Sequence, residues 1–282
     1  MEPEHHTSGV AKGREEATRA GATESDSLPA VAFIHGAGSG PDFWHFQRPA
    51  FPHAHCISLP GHSPLAGAQG VREEVAELLS IPPESLIEWY ADRVEEYIAG
   101  TGAGVEHSSV VLDGHSMGGA VALTLALRHP GWLKALVLTG TGARLPVAPR
   151  ILELLRTDYA AAVDLIIEMS FAARPLQPLT YSQKIRRNGA RRQMLRVPQE
   201  VTLADYRACE HFDITSRVSE IRVPALIIAG SEDRMVSPAH SLYLHEQIRG
   251  SRLVMIEGAG HMLPLERPEE YNQKVAEFVA AI

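Results

Sequence analysis

The stretch from Val110 to Leu127 constrains this chain more than any other. It opens as a β-branched, apolar run (Val110, Val111, Leu112) and passes through Asp113, Gly114, His115, Ser116, Met117 and Gly118. It then continues as an Ala- and Leu-rich segment of helical character. A strand that turns sharply into a helix, with serine at the apex and glycine two residues to either side, is the context of a G-x-S-x-G nucleophile elbow. The glycines have a steric reason. The apex backbone is strained, and side chains at the flanking positions would collide with strand and helix. The hydroxyl is thereby pushed out above a sheet, over a helix N-terminus that favours developing negative charge. A tight turn carrying an ordinary serine is the competing reading, and the rest of the chain must decide between them.

The chain is 282 residues long, enough for one large α/β domain with an inserted subdomain. Its formal net charge of −8 argues against nucleic acid or another polyanion as a general partner. Cys56 and Cys209 are too few for a disulfide framework and lack metal-site spacing, which suits a reducing compartment. Residues 1–28 are polar and carry Glu15, Glu16, Glu24 and Asp26, without the apolar core of a signal peptide. No apolar run reaches the ~18 residues of a spanning helix. The expectation is a cytoplasmic protein with a disordered tail over 1–28, no membrane span, no metal and no cofactor. The adjacent His5 and His6 are read as inert.

In chain order, Ala30 to Ile34 reads as a buried strand feeding the small-residue loop His35-Gly36-Ala37-Gly38-Ser39-Gly40. No Lys-Ser/Thr follows and the G-x-G-x-x-G spacing is missing, so a phosphate cradle is disfavoured against a loop that presents backbone N–H groups. Asp42 to Gln47 reads as a short helix with Phe43, Trp44 and Phe46. Ala54 to Leu59 is a second strand, closed by Pro60-Gly61-His62, and Leu86 to Ala99 is an amphipathic helix. After the elbow comes a strand at Leu133 to Leu138. From Gly140 to about Phe212 no buried strand is recognisable, and the pattern is helical with Pro146, Pro149, Pro175, Pro178 and Pro198 as breaks. The basic run from Lys184 to Arg192 is read as a solvated helix face. Strands resume at Ala225 to Ala229 and Arg252 to Ile256, each followed by a polar loop, and Pro268 to Ile282 is a terminal amphipathic helix. Such alternation predicts a mainly parallel sheet covered on both faces, with ligands beyond the carboxyl ends of its strands.

Three side chains follow apolar strands: Ser116, Asp233 and His261. A serine hydroxyl needs an adjacent base, histidine is the natural one, and a carboxylate holds its tautomer. Glu232 and Asp213 are the competing acids. With these pieces in hand, the sequence resembles the α/β-hydrolase superfamily, and within it the capped, esterase-like members. The resemblance is carried by His35-Gly36 with its Gly-rich loop, Leu59-Pro60-Gly61-His62, Gly114 to Gly118, Gly230-Ser231-Glu232-Asp233 and Gly260-His261. It implies an α/β-hydrolase fold with Ser116 as nucleophile, His261 as base and Asp233 as its orienting acid. It further implies an oxyanion hole from the N–H groups of Ala37 and Met117, with Gly38 a neighbouring alternative. Residues 29–139 and 213–282 would form the core and residues 140–212 a helical cap. One departure is visible. Most members have two strands before the His-Gly strand, and residues 1–28 carry no pattern for them. The sheet is therefore expected to have about six strands, with an edge that a second copy of the chain would cover as a homodimer.

The chemistry so implied is hydrolysis of carboxylic esters through an acyl-enzyme. Leu165, Ile166, Met169, Phe171, Leu176 and Leu179 make the insertion apolar, which suggests small to medium apolar substrates. Gly38, Trp44, Met169 and Phe171 are the candidate substrate contacts. Lactone hydrolysis and carbon–carbon bond hydrolysis use the same triad and stay open. A hydroxynitrile-lyase-like activity and a non-enzymatic ligand sensor are the readings from other classes. The roles of Asp113, a charge directly before the elbow, and of His35 are left open; His62 reads as loop-stabilising, and His115 is expected to turn away from the reaction centre and pack structurally.

Overall fold

The computed structural model describes residues 29–62, 68–101, 110–173 and 178–282. The polar tail 1–28, with His5 and His6, and Pro175 and Leu176 lie outside that set. Six strands form one sheet in the order β2-β1-β3-β4-β5-β6: β1 (Ala30–Ile34), β2 (His55–Ile57), β3 (Val110–His115), β4 (Leu133–Thr139), β5 (Ala225–Gly230) and β6 (Arg252–Ile256). Every pairing is parallel. This is the α/β-hydrolase fold, and no strand precedes β1 among the described residues.

The sheet explains the sequence texture. Strands β3 and β5 are buried along their whole length, so they read as continuous apolar runs rather than alternating ones. The period of two still sorts their side chains between layers. Ala32, Ile34, Val110, Leu112, Leu136, Leu138 and Ile227 face one core, with the helices α2 (Pro83–Thr101) and α3 (Met117–Leu127). Val31, Phe33, Val111, Ala135, Val137, Leu226 and Ile228 face the other, with α10 (Pro268–Val279). Helix α3 is buried on all sides, which is why it lacks an amphipathic pattern. Helix α2 shows the stripe expected of a helix covering one face: Leu86, Ile87, Tyr90, Ala91, Val94 and Ile98.

Four helices lie between β4 and β5: α4 (Pro149–Thr157), α5 (Tyr159–Ser170), α6 (Tyr181–Met194) and α7 (Gln199–His211). Pro149 and Pro198 mark starts here rather than breaks, at the first turn of α4 and the N-cap of α7. The two ends of this insertion lie side by side: Arg144 and Asp213 form an antiparallel bridge, and Ile214 N–H donates to the Ala143 carbonyl at 2.8 Å.

Several boundaries differ from the sequence expectation. Strand β2 stops at Ile57 because the Leu59 N–H turns inward to the His35 ring instead of extending the ladder. The expected helix at Asp42 to Gln47 is a 3-10 turn over Pro41–Trp44. Helices α1 (Ala68–Ser80), α8 (Pro238–Gln247) and α9 (Leu263–Glu266) complete the set. The last two are too mixed or too short for periodicity to reveal, although Ser237-Pro238 is a helix-start signal for α8. No helix among the described residues is long and apolar enough to cross a membrane.

Candidate active site

The carboxyl ends of the parallel strands gather the loops that carry the candidate residues. At the end of β3 the chain turns through Ser116 with φ 55° and ψ −118°, a left-handed conformation that side chains rarely adopt. Neighbouring atoms enforce it. A Cβ on Gly118 would lie 2.2 Å from the Ile34 carbonyl oxygen, and one on Gly114 would lie 2.4 Å from that of Gly118. Strand and helix therefore touch backbone to backbone, as only glycine permits. The Ser116 N–H donates to the Thr139 carbonyl and the Thr141 hydroxyl donates to the Ser116 carbonyl, each at 2.9 Å, so the strained peptide is tied down on both sides.

Opposite, the His261 Nδ1–H donates to Asp233 Oδ2 at 2.8 Å, with both side chains almost wholly buried. The other Asp233 oxygen accepts from Met235 N–H at 2.8 Å and Val236 N–H at 2.9 Å, so the carboxylate cannot rotate without abandoning two donors. The His261 backbone is held equally firmly. Its N–H donates to the Ser170 carbonyl at the end of α5, and Glu266 accepts from Gly260 N–H and from Ala172 N–H. Burial raises the Glu266 pKa against these two donors. Glu232, one competing acid, is exposed. Asp213, the other, is spent on the Thr215 N–H.

Ser116 and His261 line one cavity of ≈ 50 Å³, with Ala37, Gly38, Phe43, Leu145, Ile167, Met194, Tyr206 and Met235 among its walls. Asp233 Oδ2 occupies His261 Nδ1, so Nε2 is the ring nitrogen left for the cavity. Met117 is the first residue of α3 and its N–H has no acceptor within the helix. The Gly38 N–H is already committed, donating to the buried Asp205 carboxylate at 2.8 Å. Of the three oxyanion donors considered from sequence, Gly38 is therefore the one that is not free.

The substrate contacts divide. Gly38 lines the cavity, whereas Trp44, Met169 and Phe171 do not. Trp44 is wholly buried against Phe33, Phe43 and Tyr271, because the 3-10 turn aims its indole into the core beneath the sheet end. Its neighbour Phe43 takes the cavity position instead. Phe171 caps the end of α5 and carries the Arg187 guanidinium over its ring, in a separate cleft with Leu179. Met169 is half-buried and packs against the core layer that holds Phe33 and Val137.

The histidines around the site separate by partner. His35 Nε2 accepts from Leu59 N–H and its Nδ1 lies 3.0 Å from the Gly36 carbonyl, which makes it the neutral Nδ1–H tautomer. Burial, helped by the nearby His62, lowers its pKa to about 3. His115 donates Nε2–H to the His261 carbonyl at 2.9 Å, stacks on Phe43, and leaves Nδ1 without a partner. Burial and the neighbouring His261 hold its pKa well below the usual range. Its ring is buried between Phe43 and His261, and the residue is one of those that line the cavity.

Asp113 lies on the alternation of β3 that faces Phe33 and Val137, so its carboxyl enters an apolar layer. Both oxygens lie within hydrogen-bond reach of the Tyr271 hydroxyl, at 2.7 and 2.8 Å, and Tyr271 reaches Thr139 Oγ1 at 3.0 Å. Burial pushes the Asp113 pKa up to about 8, against the pull of the Tyr271 hydrogen bond. Sequence reasoning missed Asp205, Glu266 and Tyr271. Asp205 left one signal, being an acid on the stripe Val201, Asp205, Ala208 of an otherwise apolar helix face. No group of metal-ligating side chains occurs among the described residues.

Comparison with known proteins follows the same outline. A model described as Alpha/beta hydrolase family matches residues 31–274. The pimeloyl-(acyl-carrier protein) methyl ester esterase of Neisseria meningitidis serogroup A is 29% identical over 272 residues, covering 91% of this chain and 78% of its own. A solved thermophilic esterase is 31% identical with a TM-score of 0.68, covering 89% of either chain. The enol-lactonase from Burkholderia xenovorans LB400 shares the fold at a TM-score of 0.73 and 22% identity, over 92% of this chain and 94% of that one.

Proposed function

This chain belongs to the alpha/beta hydrolase family, and we propose that within it the chain is a serine hydrolase of carboxylic esters with small, apolar acyl groups. The observation that carries the reading is the fully engaged His261–Asp233 pair on the same cavity as the strained Ser116. Ser116 Oγ attacks the ester carbonyl while His261 Nε2 takes its proton. Asp233 holds the imidazole tautomer and stabilises the imidazolium. The carbonyl oxygen, now an anion, is received by the N–H groups of Ala37 and Met117 at the N-terminus of α3. His261 returns the proton to the departing alcohol, leaving an acyl-Ser116 ester. Water, deprotonated by the same histidine, releases the acid and restores the serine.

The cavity's size and its walls of Phe43, Leu145, Ile167 and Met194 favour a short apolar acyl chain. Helices α4 to α7 would form the cap that excludes water from it. The methyl ester named for the Neisseria relative has the kind of small leaving alcohol such a site would release. Lactones remain within reach of the same groups. No Lys or Arg lines the cavity among the described residues, which counts against a lyase that stabilises an anionic leaving group with a cation.

A chain-length series of p-nitrophenyl esters, assayed with wild type and Ser116→Ala, tests the reading. Turnover of the short esters that vanishes in Ser116→Ala is expected, with covalent capture of Ser116 by a fluorophosphonate probe. Ester or lactone turnover undiminished in Ser116→Ala, or none at all in wild type, refutes it. Labelling that persists unchanged in His261→Ala would remove His261 from the role of base.

A further inference from the structure

Helix α7 belongs to the insertion, yet it reaches into the core beside the loop that follows β1. Asp205, on its inward face, is wholly buried and collects three donors from three other segments. Oδ2 accepts from the Gly38 N–H at 2.8 Å and from His62 Nε2 at 2.8 Å, and Oδ1 accepts from the Tyr90 hydroxyl at 2.7 Å. Gly38 comes from the loop after β1, His62 from the loop after β2, and Tyr90 from α2. Two residues earlier in the helix stripe enforce the same fit. A Cβ on Gly38 would lie 2.7 Å from Thr202 Cγ2, and one on Gly61 would lie 3.2 Å from Val201 Cγ2. The Gly36 to Gly40 loop is thus seated against α7 by packing and gripped by one carboxylate.

His62 Nδ1–H donates to the Pro60 carbonyl at 2.9 Å, which leaves Nε2 facing the Asp205 carboxyl at 2.8 Å. The buried Asp205 contact favours the imidazolium form of His62. Burial opposes the charge, but the Asp205 carboxylate outweighs it and raises the His62 pKa. A buried acid with three hydrogen-bond partners is a rigid anchor, because every partner that leaves it loses its bond in a medium without water.

We propose that Asp205 is a positioning residue for ester cleavage: by holding the Gly38 N–H it fixes the neighbouring Ala37 N–H where the oxyanion forms. The assignment rests on the serine-hydrolase reading above. It makes the insertion part of the catalytic geometry, since release of α7 would free the loop as well as open the cavity. It also accounts for the use of Ala37 rather than Gly38 as donor, because the Gly38 N–H is consumed in placing its neighbour.

Asp205→Ala is tested by steady-state kinetics on a short p-nitrophenyl ester and by inhibition with an alkylboronic acid, which forms a tetrahedral adduct on Ser116. A misplaced donor costs about 100-fold, so kcat is expected to fall by about that factor with KM held within about threefold. The boronic acid affinity should fall in parallel with kcat/KM. A folded Asp205→Ala that keeps wild-type kcat overturns the assignment. So does one whose whole loss sits in KM, the signature of a helix that only anchors the cap. Should Asp205→Ala fail to fold by circular dichroism, Asp205→Asn reads the same split. Its single amide oxygen replaces two acceptor oxygens for three partners, so the Gly38 N–H is held less firmly and kcat falls about tenfold at constant KM, and an unchanged kcat refutes the proposal. Ser116→Ala separates the two layers. Ester turnover that survives it defeats the serine-hydrolase reading; turnover that it abolishes, beside a fully active Asp205→Ala, defeats only the role of Asp205.

Discussion

Asp113 makes the stability of this protein depend on pH in a way that one substitution can isolate. The carboxyl is wholly buried in the apolar layer between Phe33 and Val137, with the Tyr271 hydroxyl as its polar partner. Its pKa rises from 3.8 to about 8 because burial penalises the charged form more than Tyr271 stabilises it. The folded state therefore holds a proton that the unfolded state has released over most of the interval between those values. A group whose pKa is raised by folding contributes its full stability at low pH and loses it as pH rises toward the folded value. Integrating ~1.36 kcal/mol per pH unit, the loss between pH 5 and pH 8 is about 3 to 4 kcal/mol. Asp113→Asn keeps the shape and the hydrogen bond to Tyr271 but cannot titrate. The assay is the melting temperature of both proteins across that range, read as a difference so that the other titrating groups cancel. At roughly 2–4 °C per kcal/mol for a domain of this size, the variant should gain on the order of 10 °C relative to wild type between pH 5 and pH 8. A gap that stays constant over the range would show that Asp113 binds the same number of protons folded and unfolded, and the reasoning would fail.

Gly118→Ala drives a Cβ to 2.2 Å from the Ile34 carbonyl oxygen. It should lower stability by about 1–3 kcal/mol in chemical denaturation and depress kcat by displacing Ser116, whereas Gly131→Ala, with nothing within 4 Å, should do neither. Asp233→Asn would turn the wrong imidazole nitrogen toward the cavity, so kcat on a short ester should fall about 10⁴-fold with KM little changed; a loss under tenfold would reassign the acid. Phe43→Ala should alter KM and the acyl-length optimum, since Phe43 lines the cavity, while Trp44→Phe should shift only the melting temperature, its indole being shut in the core. The reverse pattern in the two kinetic profiles would contradict the wall drawn here.

What the sequence revealed and what it hid follow one physical line. The elbow was legible because its steric demands are local: Gly114 and Gly118 stand two residues from Ser116, and the strand before and helix after them are continuous runs. The sheet was legible because buried parallel strands are short apolar blocks closed by loops. Trp44 was misplaced because a helix and a 3-10 turn differ by which way successive side chains point, and that choice is made by the packing of Phe33 and Tyr271. Asp205 and Glu266 were missed because their partners lie far off in sequence. Asp205 meets Gly38 across 167 positions, and Glu266 meets Ala172 across 94. No periodicity inside a helix encodes such a meeting.

The histidines carry that argument to chemistry. The sequence has 14 of them, and residue type alone gives each the same claim to be the base. Four lie near Ser116 or the loops beside it, and their hydrogen-bond partners make them different reagents. His35 accepts from a backbone N–H and is neutral. His115 gives its only proton to the His261 carbonyl and has no second partner. His62 has both ring nitrogens engaged, Nδ1 by the Pro60 carbonyl and Nε2 by Asp205, whose carboxylate raises its pKa. Only His261 among them pairs Nδ1 with a carboxylate while Nε2 is left toward the cavity. A base must accept a proton and then be stabilised as a cation, which suits the proposed role of His261: His35 and His115 hydrogen-bond to no carboxylate, and both ring nitrogens of His62 are already engaged. The proposal of His261 as base thus rests on the neighbours of each ring, and those neighbours are set by the same strand ends that carry Ser116.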